Sequence, residues 1–128
     1  MAQTQNRAGG GSDLGPQYPG PCKSVDLLSL IEGCVSSRWE DPEDECWKGT
    51  YIGYVEGSNV EITSLSQLTI VGTVTTRNQY KTETFFSYNT VDKINTYYTL
   101  ALIPFSEDGF SVESITTRTV NSGVFMKL

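Results

Sequence analysis

At 128 residues the chain has room for one domain, and an apolar fraction of 38% supports one modest core. Its net charge of −6 includes no basic stretch, which argues against nucleic acid and against an anionic membrane surface as partners. There is no histidine, so the commonest acid–base residue is missing, and with it Ser-His and Cys-His nucleophile activation.

Residues 1–21 contain Gly9-Gly10-Gly11-Ser12 and Gly15-Pro16-Gln17-Tyr18-Pro19-Gly20-Pro21. Glycine raises the entropy cost of ordering and proline removes backbone donors, so this stretch reads as a flexible arm. It lacks the apolar stretch of a secretory signal, and no run in the chain approaches the roughly 18 apolar residues of a membrane span.

Residues 22–47 carry two basic against seven acidic side chains. Ser24 to Glu32 reads as one short helix, with Ser24 as N-cap, Gly33 beyond its C-terminus, and Leu27, Leu28 and Ile31 on one face. The next stretch, Trp39-Glu40-Asp41-Pro42-Glu43-Asp44-Glu45-Cys46-Trp47, is too acidic for a buried strand or a stable helix. It reads as a loop whose two tryptophans turn inward and pin its ends.

From Lys48 the pattern changes to period two. Candidate strands are Tyr51–Val55, Val60–Thr63, Gln67–Thr76, Gln79–Tyr88, Ile94–Phe105, Phe110–Val120 and Val124–Leu128. Turn signals such as Glu56-Gly57-Ser58-Asn59 and Ser106-Glu107-Asp108-Gly109 separate them. Seven antiparallel strands at nearly regular spacing predict an all-β domain over 48–128, either a small sandwich or a barrel.

The chain holds few groupings that suggest chemistry. Cys22, Cys34 and Cys46 are evenly spaced, but they lack the close Cys pair and the histidine of a zinc site, and they read as free thiols or one opportunistic bridge. Glu61, Glu83, Asp92 and Glu113 fall on separate strands and turns and read as solvated positions, with no carboxylate pair. Asp41, Glu43, Asp44 and Glu45 supply the hard oxygen ligands that suit calcium, without the ordered ligand spacing of a known calcium loop. Adjacent rings such as Phe85-Phe86 and Tyr97-Tyr98 must point to opposite sheet faces, leaving some rings free to dock on a partner. The candidate partner-binding residues are Tyr18, Trp39, Trp47, Phe85 and Tyr97.

A Gly/Pro-rich arm, a nearly neutral threonine-rich β region and the lack of a catalytic set together predict a non-enzymatic assembly protein without a cofactor. In composition the chain resembles small accessory proteins of viral particles: capsid-decorating (cement), neck or tail components of tailed phages. That resemblance implies synthesis in a host cytoplasm, residence on a virion, a homodimer or trimer, and docking through the arm and the sheet edges. The alternative is a carbohydrate-binding module with an aromatic platform and a calcium site in the acidic loop.

Overall fold

The computed structural model describes residues 15–28, 34–87 and 96–121. Seven antiparallel strands form two sheets: β1 (Lys23–Leu28), β2 (Cys34–Glu40), β3 (Gly49–Glu56), β4 (Thr69–Val74), β5 (Gln79–Ser87), β6 (Tyr97–Phe105) and β7 (Thr116–Asn121). One sheet has the order β1-β2-β5 and the other β4-β3-β6-β7. The result is a β-sandwich. It resembles the constant-type immunoglobulin arrangement of four and three strands, but here the fourth strand pairs with the third rather than with the fifth.

Alternation along each strand builds the core. Val35 and Trp39 on β2, Ile52 on β3, Phe85 on β5, Tyr98, Leu100 and Leu102 on β6, and Val120 on β7 meet between the sheets. Each fully buried large side chain contributes about 1.5–3 kcal/mol. Pro104 sits in the central strand β6, yet β7 pairs with β6 only over Tyr97–Leu102. The missing N–H therefore falls where no neighbouring strand needs it. Gly49 is required by close approach, since a Cβ there would lie 2.5 Å from the Phe105 ring and 2.9 Å from the Val74 carbonyl oxygen.

The helix expected over 24–32 is not present in its described part: Lys23–Leu28 form β1, and residues 29–33 lie outside the described residues. A short apolar run satisfies either period, and pairing with β2 supplies backbone hydrogen bonds that a single short helix would have to supply alone. Val25 then packs on the core between the sheets, and Leu27, 37% exposed, borders the gap lined by Phe85, Leu100 and Leu102. The sandwich therefore starts well before Lys48, because β1 and β2 make up two of the three strands of the smaller sheet.

The strand expected at Val60–Thr63 and the first half of the one expected at Phe110–Val120 are covering segments, while the second half of the latter is β7. Residues 60–68 and 110–115 carry short 3-10 turns at Leu65–Gln67 and Val112–Ser114. Their Val60, Ile62, Leu65, Leu68, Phe110 and Ile115 pack on the outer face of the larger sheet, over Ala101 and Ile103. Thr99 ties the first segment down, donating to the Gly57 carbonyl at 2.8 Å and accepting from the Val60 amide at 3.0 Å. Hence β6 is buried on both faces. The strand expected at 124–128 lies outside the described residues.

Candidate functional site

The acidic segment is mostly structural. Trp39 and Glu40 end β2, and the chain then turns Asp41 inward, leaving it only 3% exposed. Four donors converge on its carboxylate. Oδ1 accepts from Trp39 Nε1 at 2.8 Å, Thr50 Oγ1 at 2.7 Å and Cys22 Sγ at 3.6 Å, while Oδ2 accepts from the Asn78 amide at 2.7 Å. Trp47 Nε1 donates to Thr50 Oγ1 at 2.9 Å, extending the network. Arg77 closes it from outside, with its guanidinium 4.9 Å from the Trp47 ring centroid and Nε donating to the Pro42 carbonyl at 2.7 Å. A buried polar network in which each member is satisfied rigidifies the fold and leaves no valence for a ligand.

Residues 17–22 are strapped across this end of the sandwich. The Gly20 amide donates to Asp44 Oδ2 at 2.6 Å, the Gln17 amide to Asp108 Oδ2 at 3.0 Å, and Ser114 Oγ to the Pro19 carbonyl at 2.8 Å. The arm expected over 1–21 is thus docked in its last part, and residues 1–14 lie outside the described residues. Burial and the neighbouring Asp41 carboxylate push the Cys22 thiol well above its ordinary range. Partial burial and Asp44 push Cys46 the same way.

The four calcium candidates are dispersed: Asp41 points into the core, Asp44 holds the strap, and Glu43 and Glu45 are exposed. Among the described residues no three acids, cysteines or histidines are grouped to hold a metal ion. Of the expected docking residues, Trp39, Trp47 and Phe85 are internal, at 0%, 8% and 3% exposed, so packing occupies them. Tyr18 and Tyr97 are exposed, at opposite ends of the sandwich from each other: Tyr18 lies in the strap beside Gly109, and Tyr97 begins β6.

The free edges differ in how they are guarded. β1 carries Lys23 and Asp26 and a register shift between them. β5 bulges at Tyr80 and turns Lys81 and Glu83 into the cleft between the sheets. β7 turns Arg118 into the gap on the opposite margin. Inward charges and bulges blunt edge pairing. β4, Thr69-Ile70-Val71-Gly72-Thr73-Val74, has no charge at all. Ile70 and Val71 are 38% and 37% exposed on it, Val71 being the extra residue of a bulge opposite β3. Between β4 and β5 opens a polar cleft of about 320 Å³, lined by Thr73, Thr75, Thr76, Lys81 and Glu83 among others.

The outer face of the smaller sheet carries a second polar cluster. Arg38 on β2 lies between Asp26 on β1 and Thr82 on β5. Tyr80 reaches back over it, with the guanidinium 4.9 Å from the ring centroid and the phenol donating to Asp26. Tyr80 adopts φ 70°, a left-handed conformation that costs a non-glycine residue on the order of 1 kcal/mol or more. Asp26 pushes the Tyr80 hydroxyl above its ordinary range. Neither Tyr80 nor the Ile70-Val71 pair was selected by sequence pattern: Ile70 alternates with Leu68 and Val74 as a core residue would, and a bulge leaves no signature in a strand's alternation.

No protein-family model matches the chain, and no curated protein does. Among solved structures it is similar to the twitchin kinase region of C. elegans (Fn31-NL-kin-CRD-Ig26), with TM-score 0.57 and 13% identity, over 88% of this chain and 18% of that one. It is similar to the Clostridium perfringens spore cortex lytic enzyme SleM, with TM-score 0.56 and 8% identity, over 80% of this chain and 28% of that one. A myokine structure matches with TM-score 0.52 and 16% identity, over 81% of this chain and 97% of its own length. The chain thus spans less than a third of the first two. These likenesses concern the fold: one sandwich carries a kinase region, a lytic enzyme and a myokine, and function belongs to sites grafted on it. Among the described residues no helix is long and apolar enough to cross a membrane.

Proposed function

We propose that this chain is a non-enzymatic interaction module that assembles with protein partners, first of all copies of itself, through the free edge of β4. The carrying observation is the contrast among edges: β1, β5 and β7 present charge, and β4 presents Ile70 and Val71 with none. The bulge at Val71 interrupts this edge, but Gly72-Thr73-Val74 run in regular register opposite β3, and an uncharged edge is a template for strand addition, in which main-chain hydrogen bonds supply affinity. In a chain of net charge −6, it is also the edge where two copies meet with least repulsion. The finer reading, a capsid-decorating, neck or tail component of a viral particle, draws its support from the chain's composition: a Gly/Pro-rich leading segment ahead of a threonine-rich β body.

Size-exclusion chromatography with light scattering tests the module. The wild type is expected above the 14.1 kDa monomer mass. Val71→Lys is expected to return it to the monomer with folding stability changed by no more than about 0.5 kcal/mol. A wild type monomeric at high micromolar concentration, or an oligomer indifferent to Val71→Lys, would sink the reading.

A further inference from the structure

Among the described residues nothing covers the outer face of the three-stranded sheet as loops cover that of the four-stranded sheet, and on that face stand Tyr80, Arg38 and Asp26. We infer that this cluster is a binding subsite for a neutral saccharide, with the Tyr80 ring as its platform.

The argument begins with the ring. A bulge places Tyr80 as an extra residue opposite β2, and φ 70° turns its side chain back across the sheet. One face of the ring is backed by the Arg38 guanidinium, its hydroxyl is tied to Asp26 on the far strand, and the residue is 37% exposed. A ring held flat against a sheet by contacts at its back and its tip is pre-ordered for stacking on an apolar ligand face. Backbone strain of this kind concentrates at ligand-binding positions.

Polar groups surround the ring. Arg38 Nε is buried beneath the ring without a partner among the described residues, so it backs the platform and stays out of a ligand's reach. Asp26 accepts from Tyr80 through Oδ2, and its exposed carboxylate stays within reach of a hydroxyl donor. Thr82 faces Arg38 from β5 and is exposed. Donors and acceptors around an exposed ring complement the two faces of a sugar, apolar C–H on one side and hydroxyls at the rim. Charge selects the class. Asp26 and Glu40 flank Arg38, and Lys23 stands opposite Glu40 on the same face, so two negative and two positive charges balance and the patch favours a neutral ligand over a charged one.

The decisive variant is Tyr80→Gly. Glycine adopts φ 70° without strain, so the ring is removed while the backbone it distorts is relieved. Cellohexaose, chitohexaose, maltohexaose and xylohexaose, with tri-galacturonate as an acidic comparator, are titrated into the whole chain by isothermal calorimetry and ¹⁵N NMR. At least one neutral hexasaccharide is expected to bind, shifting amides of β1, β2 and β5. Tyr80→Gly is expected to weaken it at least ten-fold with the thermal midpoint held or raised. Silence across the neutral panel, tighter binding of the galacturonate, or a neutral affinity unchanged in Tyr80→Gly would each overturn the inference. None of these outcomes depends on the β4 edge, so the assembly reading stands or falls separately.

Discussion

Two polar clusters grow from neighbouring stretches of β2, and they are opposites. At its end, Asp41 is buried and each of its oxygens is occupied by donors from Trp39, Thr50, Cys22 and Asn78. Three residues earlier, Arg38 lies under an exposed ring with Nε unpartnered. Complete satisfaction marks the first as architecture, because a filled network has nothing left to offer a ligand. The second stands on the outer face of its sheet, where the Tyr80 ring and the Asp26 carboxylate stay within a ligand's reach. The two sheets repeat the lesson: loops cover one outer face with apolar side chains, and nothing described covers the other in that way.

This contrast breaks most visibly at Asp41. Asp41→Ala strands the Trp39 indole, the Thr50 hydroxyl and the Asn78 amide in the interior, and is expected to cost about 3–5 kcal/mol. Thermal unfolding should show a midpoint lower by at least about 10 °C; a loss under 1 kcal/mol would show that the network is not structural.

Cys22 sharpens the same point through pH. Its thiol is raised in the folded state by burial and by Asp41, so folding favours the protonated form. The unfolded chain gives up that proton near 9.0, the thiol's ordinary value, while the folded chain still holds it. The stability that this group contributes is therefore complete below pH 9 and declines as pH rises toward the higher folded value. Denaturant midpoints from pH 7 to pH 11 should fall on the alkaline side, less steeply in Cys22→Ala. At pH 8 under native conditions an alkylating reagent should label Cys46, which is only partly buried, before Cys22; equal rates would contradict the placement.

The smallest effect is expected at Arg38. Arg38→Ala removes a cation–π contact and an unpartnered buried nitrogen together, and urea unfolding should change by no more than about 0.5 kcal/mol. A loss comparable to that of Asp41→Ala would make Arg38 architecture after all and erase the comparison.

Much of the all-β character was legible. Alternation from Tyr51 onward located β3, β5 and β6 closely, because a strand with one buried face writes its burial into every second residue. The inward turn of Trp39 and Trp47 also followed from their place at the ends of an acidic run. Val60–Thr63 and Phe110–Ile115 carry the same alternation without being strands, since a loop lying on a sheet buries alternate residues too. Ser24–Leu28 satisfied helical spacing and became β1.

Composition and period by themselves determined that this chain is a β protein with a mostly polar surface and no histidine chemistry, because those properties are sums over local choices. Only the tertiary structure decided that Asp41 is an internal hub, that β4 is the uncharged edge, and that Tyr80 lies flat over Arg38. Each depends on which strand is neighbour to which and on bulges that shift register by one residue. That information resides in pairing across the sheet and is carried by no single segment.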